Sequence, residues 1–259
     1  MDIYSIYQDN SLRNYNYLLV CPITHDAAII DPLDAQKCLQ LAQELNVNIT
    51  TIINTHEHED HIAGNAEVVK HTGAKIVAHY QSPIPHIDQK VKAGDIIQVG
   101  KSIQLKVLDT PGHTFCHICL VAETVPALFC GDTLFNAGCG NTHSGNVELL
   151  YKTFTEQLFL LSDNTKVYPG HDYLANNLRF ALTREPANSH ISAWLEKAEH
   201  HDPHQPLVTT LATEKLINPF FRLTMPEIIT QLRKDIPALP EDPGPRDVFI
   251  GLRELRNRW

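Results

Sequence analysis

The segment Thr55-His56-Glu57-His58-Glu59-Asp60-His61 places three imidazoles and three carboxylates within seven residues. Imidazole nitrogen and carboxylate oxygen are ligands that zinc, iron and manganese accept. Three other segments offer one such group each: Pro111-Gly112-His113, Gly131-Asp132 and Pro169-Gly170-His171. Together His56, His58, Asp60, His61, His113, Asp132 and His171 make seven candidate ligands, too many for one tetrahedral ion. They suit two divalent ions sharing a carboxylate, a pair that can activate water and polarise a carbonyl. A lone His after a strand is ordinarily a surface or capping residue, so the repetition of one layout in four segments carries the metal reading. Glu57 and Glu59 alternate with the ligands and are expected to face away. His117 competes with His113, but it is expected inside the next strand and reads as a supporting residue.

Each candidate follows an apolar run. Residues 48–54, with Ile49, Ile52 and Ile53, lead into the His-rich segment; runs at 105–108, 128–130 and 167–168 lead to His113, Asp132 and His171. The glycine beside each of these last three permits a tight turn, and strands of one sheet would bring the four loops to a common cleft. Further strands are predicted at 16–20, 27–30, 75–78, 96–99, 103–108, 118–122, 127–130 and 166–168, with a helix at 35–45. Ile62, Ala66 and Val69 fall at helical spacing over 62–71, and Gly73 can stop that helix. Beyond Tyr173 strand signals cease, and helix-like segments are divided by prolines at 186, 203, 206, 219, 226, 237, 240, 243 and 245. This predicts a mixed α/β part over 1–172 and a helical part over 173–259.

Of 259 residues, 43% are hydrophobic and 20% charged, which is the composition of a globular chain with a sizeable core. A net charge of −9 argues against nucleic acid as a partner. The start, MDIYSIYQDN, does not read as a secretory signal, and no run approaches the roughly 18 apolar residues of a membrane span. Cysteines 21, 38, 116, 119, 130 and 139 are scattered and read as free thiols in a reducing cytoplasm. Cys116 and Cys119 do not make a redox or zinc pair, because residues three apart on a strand face opposite sides. His200, His201 and His204 lie in a proline-bearing polar turn and are expected to be solvated.

HxHxDH followed by Pro-Gly-His-Thr at 111–114, Gly-Asp-Thr-Leu-Phe at 131–135 and Pro-Gly-His at 169–171 resembles the metallo-β-lactamase superfamily. Within it the chain is similar to the glyoxalase II (hydroxyacylglutathione hydrolase) family. Asn14-Tyr15-Asn16-Tyr17, Ala137-Gly138-Cys139-Gly140, Gly170-His171-Asp172-Tyr173 with Asn176-Asn177, and Asn218-Pro219-Phe220 extend that likeness over essentially the whole chain. The resemblance implies an α+β fold, an αββα sandwich (1–172) followed by a helical substrate-binding domain (173–259). It implies hydrolysis of S-D-lactoylglutathione to D-lactate and glutathione. One metal would take His56, His58 and His113, the other Asp60, His61 and His171, and Asp132 would bridge them. Asp60 and Asp132 then act in catalysis through a metal-held hydroxide, available because binding lowers the pKa of water from about 15.7 to about 7. Residual positive charge stabilises the oxyanion, and a thiolate leaves readily, so no separate protein nucleophile or acid is assigned. Mixed His and Asp ligands without Cys suit Zn, Fe or Mn.

Glutathione carries two carboxylates, so its site should hold cations. The family has Lys or Arg after the Gly-Cys-Gly turn and an aromatic residue two positions on; here these are Asn141 and His143. Tyr173 keeps the family's tyrosine, whose hydroxyl can donate to a carboxylate. Residues 244–259 carry Arg246, Arg253, Arg256 and Arg258 against Asp247 and Glu254. Val248, Leu252, Leu255 and Trp259 form an apolar helical stripe, and Arg253 and Arg256, at i, i+3, can project together beside it. They match the family's terminal basic pair. The expected protein is a cytoplasmic monomer acting on a small-molecule glutathione thioester, with no nucleic-acid or membrane partner. The alternatives are a hydrolase for another thiol carrier's thioester, or a mononuclear iron dioxygenase of glutathione persulfide, which shares HxHxDH but generally lacks such a helical C-terminal part. A β-lactamase and a catalytically silent metal-binding module rank lower, given the helical tail and the intact ligand set.

Overall fold

The computed structural model describes residues 1–259. Two six-stranded sheets lie face to face. The first runs β1 (Asp2–Tyr7), β2 (Tyr15–Val20), β3 (Asp26–Ile30), β4 (Asn48–Ile53), β5 (Lys75–His79) and β6 (Gln89–Val91) in that order. The second, in spatial order, is β14 (Thr209–Thr210), β13 (Lys166–Pro169), β10 (Ala127–Gly131), β9 (Ile118–Ala122), β8 (Ile103–Asp109) and β7 (Ile96–Val99). A small ribbon, β11 (Leu134–Phe135) with β12 (Gly138–Cys139), stands apart.

Period-two alternation assigns each strand residue a layer. On β9, Ile118, Leu120 and Ala122 point into the space between the sheets, where they meet Tyr17, Leu19, Ile53 and Val77 of the first sheet. Cys119 and Val121 point the other way, into a second apolar cluster. Central strands buried on both faces are apolar almost throughout, which is why they are legible in sequence. The outer face of the first sheet is covered by α1 (Ala35–Glu44), capped by the Asp34 carboxylate, and by α3 (Asn65–Thr72). The outer face of the second sheet packs against α4 (Val147–Glu156), α8 (Pro226–Asp235) and α9 (Pro245–Arg258). The result is α+β, an αββα sandwich extended by helices. The helical part also contains α5 (Leu174–Arg184), α6 (Ser189–His200) and α7 (Leu211–Ile217). No helix is long and apolar enough to cross a membrane.

Several expectations change. The helix expected over 62–71 is two: α2 (Glu59–Ile62) and α3, broken where the Gly64 N–H donates to the Pro32 carbonyl. Gly73 does end α3, in a left-handed conformation. The half-exposed edge strand β1 lacks the strong apolar run of the central strands. Beyond Tyr173 one strand persists, β14, which pairs with β13 and so adds an edge to the second sheet. The apolar stripe of α9 buries Val248 and Leu252, while Trp259 is exposed beside Phe180. His201 is not solvated: its side chain is mostly buried, 3.5 Å from Asp172, whereas His204 is exposed and pairs with Asp9. All six cysteines are free.

Candidate metal centre

β3, β4 and β5 are mutually parallel, as are β10 and β13, so their C-terminal ends reach common edges. The loops after β4, β8, β10 and β13 carry the predicted ligands, and the structure brings all seven together. His58 Nδ1 lies 3.1 Å from His56 Nε2 and 3.0 Å from His113 Nε2. His61 Nε2 lies 3.2 Å from His171 Nε2 and 3.4 Å from Asp60 Oδ2. Asp132 faces both groups, with Oδ2 3.6 Å from His113 Nε2 and 3.2 Å from His171 Nε2, and Oδ1 3.4 Å from His61 Nε2. His56–His58–His113 and Asp60–His61–His171 are thus two compact triads.

Two glycines make the approach possible for different reasons. Gly131 has φ +44°, the left-handed conformation that turns the chain into Asp132. Gly170 has no such φ; a side chain there would collide with the Asp132 carboxylate and the His61 ring. Its role is close approach rather than the tight turn read from the sequence.

The outer nitrogens of the imidazoles are held by the chain. His56 Nδ1 is 3.1 Å from Thr55 Oγ1, His113 Nδ1 donates to the Asn141 carbonyl at 2.8 Å, and His58 Nε2 is 3.1 Å from Ser144 Oγ. In the second triad His61 Nδ1 is 3.0 Å from Asp31 Oδ2, and His171 Nδ1 donates to the Leu12 carbonyl at 2.8 Å. Asn14 Nδ2 donates to Asp60 Oδ2 at 2.9 Å. His117, placed just before β9 rather than inside it, accepts the Asp132 N–H through Nε2 at 3.1 Å and stacks on His56. Asp31 and Ser144 carry no sequence signal of this role: an acid before a proline and a serine in a polar loop read as turn residues.

Burial and neighbouring charge displace the ionisation of several groups in the centre. Burial pushes His56, His113 and His117 below the usual histidine range. Burial would lower His61 too, but the carboxylates of Asp132, Asp31 and Asp60 outweigh it and hold it at about 9. Asp132 is held well below the carboxylate range: burial would raise it, and His171 and His61 prevail. Asp132 Oδ1 is buried with no hydrogen-bond partner. Imidazole nitrogens converging on a carboxylate, with their second nitrogens committed outward, fit divalent ions.

Beside the centre lies a cleft of about 250 Å³ lined by Phe135, Asn141, His143, Tyr173, Arg253 and Arg256, among others. The Tyr173 ring stacks on His171, 4.9 Å between centroids. Arg256 reaches Asn177 Oδ1 at 3.1 Å and is only half-buried. Arg253 is buried, and its guanidinium donates to the carbonyls of Cys139 at 2.8 Å and Gly140 at 3.1 Å. The two arginines share the cleft, but one is engaged with the turn.

A family model described as the metallo-beta-lactamase superfamily matches residues 12–171, and one described as hydroxyacylglutathione hydrolase C-terminus matches residues 172–259. A hydroxyacylglutathione hydrolase from Polaromonas sp. is 54% identical, with 100% of each chain covered. Another, from Nitrosococcus oceani, is 51% identical, also with 100% of each chain covered. The crystal structure of ETHE1 from Myxococcus xanthus superposes with a TM-score of 0.70 at 28% identity, covering 99% of this chain and 98% of that one. Seven converging donors and this kinship make the centre a divalent-metal site. The chain belongs to the hydroxyacylglutathione hydrolase family of the metallo-β-lactamase superfamily.

Proposed function

We propose that this protein hydrolyses S-D-lactoylglutathione to D-lactate and glutathione. The reading is carried by one observation: two complete triads face a single carboxylate, Asp132, beside a cleft that presents Arg256 and Tyr173. His56, His58 and His113 would hold one ion and Asp60, His61 and His171 the other, with Asp132 placed to serve both. Zinc suits these ligands, and iron or manganese can replace it. Bound divalent ions supply a nucleophile from water at neutral pH and Lewis acidity toward a carbonyl.

The remaining work belongs to the chain. Asp132 and Asp60 offset part of the positive charge and leave a surplus where the thioester oxygen becomes anionic. The Tyr173 phenol, which burial pushes above its ordinary range, stays protonated and can donate to a substrate carboxylate. Arg256 supplies the cation that a glutathione carboxylate needs, and Asn141 and His143 add neutral polar contacts. Arg253 shapes the cleft by fixing the Cys139–Gly140 turn. Residues 1–172 act as the catalytic part and residues 173–259 as the substrate-binding part of a cytoplasmic monomer, a setting that six free cysteines support.

The test is kcat/KM across lactoyl thioesters of glutathione and of other thiol carriers, with metal analysis of the same sample. Highest kcat/KM for the glutathione thioester is expected. Faster turnover of another carrier would move the assignment to that thiol, and no thioester hydrolysis at two ions per chain would overturn it. A mononuclear persulfide dioxygenase needs only one triad, and oxygen uptake with glutathione persulfide would reveal it.

A further inference from the structure

His58 differs from the other two imidazoles of its triad. His56 and His113 turn Nε2 inward, whereas His58 turns Nδ1 inward, toward both of them. A nitrogen that faces a cation is bare, so the hydrogen of neutral His58 sits on Nε2. The atom beside Nε2 is Ser144 Oγ, 3.1 Å away, which therefore accepts. His58 is half-buried and Ser144 exposed, so dense packing does not fix this ring as it fixes His56.

Ser144 is itself anchored. It forms a β-bridge with Thr114, the residue after His113. The Asn146 N–H donates to the Gly112 carbonyl at 2.9 Å. The same short segment supplies the Asn141 carbonyl that accepts from His113, and Asn141 and His143 that line the cleft. One stretch of chain thus supplies the outer hydrogen-bond partners of two ligands and part of the substrate wall.

We propose that Ser144 is a positioning residue, which sets the tautomer and ring orientation of His58 and thereby the affinity of the first triad for its ion. The inference rests on reading His56, His58 and His113 as one metal site. Outer partners of this kind change metal affinity by about 10-fold to 100-fold when removed.

The experiment is equilibrium competition for zinc between a chromophoric chelator and the full-length wild type, Ser144→Ala and Ser144→Thr, with the melting temperature of each metal-free protein. The proposal expects two ions in the wild type. It expects one of them to bind about 10-fold to 100-fold more weakly in Ser144→Ala, with the other unchanged. It expects recovery in Ser144→Thr, which keeps the hydroxyl, and equal metal-free melting temperatures, because Ser144 is exposed. Unchanged affinities in Ser144→Ala would overturn it, as would weakening of both ions together with a lowered metal-free melting temperature. Fewer than two ions in the wild type would instead overturn the underlying triad assignment.

Discussion

The two triads present similar donors but are held by different material. The second is braced mainly by buried residues at the ends of strands, Asp31 just after β3 and Asn14 just before β2, with the carbonyl of Leu12 added from the turn before Asn14. Asp31 and Asn14 are buried, and so are His61 and His171. The first triad relies on the adjacent Thr55 hydroxyl and on a loop, through the Asn141 carbonyl and the exposed Ser144. Similar ligand sets, three imidazoles in one and two with a carboxylate in the other, therefore sit on a firmer and a more yielding support, and the supports differ in the cost of reorganising when an ion leaves. The ion of the second triad is expected to resist chelation longer.

The harshest break of this asymmetry is Asp132→Ala, which removes the carboxylate both triads face. Loss of both ions and a fall of thioester hydrolysis to background are expected, measured by metal analysis and turnover. Full metal content with normal turnover would remove Asp132 from the bridging role.

Asp31→Ala strikes the second triad directly, through His61, and reaches His56 of the first only through the Thr55 hydroxyl. It strips partners from the Thr55 N–H, the Thr55 hydroxyl and His61 Nδ1, all buried. A loss of about 2–4 kcal/mol in urea unfolding of the metal-free protein is expected, with selective weakening of one ion by about 10-fold to 100-fold. Equal weakening of both ions would erase the distinction between the triads.

Glu214 tests the other side. Buried on α7, it accepts from the Ala137 N–H at 2.9 Å, Asn218 Nδ2 at 2.9 Å and Thr209 Oγ1 at 2.6 Å, beneath the turn that leads to Ser144. Glu214→Ala should cost about 2 kcal/mol and loosen the first ion more than the second, read by urea unfolding and chelator competition. Burial, against these donors, holds its carboxyl above the ordinary 4.5. A raised folded-state value means that its contribution is present below 4.5 and fades as pH rises through the higher folded value. Wild type should thus lose stability relative to Glu214→Gln as pH increases from 4.5, in parallel pH-dependent melts; parallel curves would refute the buried-carboxylate effect.

The mildest change is Arg256→Ala. It should raise KM for the glutathione thioester by roughly 10-fold, the worth of one charge-assisted hydrogen bond of about 1.4 kcal/mol, and leave kcat and both ions nearly untouched. Arg253→Ala, which frees the Cys139 and Gly140 carbonyls, should instead reduce kcat and retention of the first ion. Matching phenotypes would show that the two arginines do the same work.

What the sequence made legible follows from where the constraints lie. Ligand types and the apolar runs before them are local, and strands buried on both faces announce themselves. The partners of the ligands are set by tertiary approach. Asp31 is 30 positions from His61, and Ser144 is 86 from His58, so nothing local distinguishes them from turn residues. Arg253 reads as half of a basic pair projecting from an amphipathic helix, yet the Gly-Cys-Gly turn claims its guanidinium through the Cys139 and Gly140 carbonyls. The break at Gly64 and the edge strand β14 are likewise responses to neighbours, the Pro32 carbonyl and β13.

The most direct check is to load one preparation with zinc in steps and follow ions bound per chain and hydrolysis of S-D-lactoylglutathione on the same aliquots. Two triads sharing Asp132 predict saturation at two ions, with turnover reaching its full value only as the second is taken up. Saturation at one ion, or full turnover before the second enters, would contradict it.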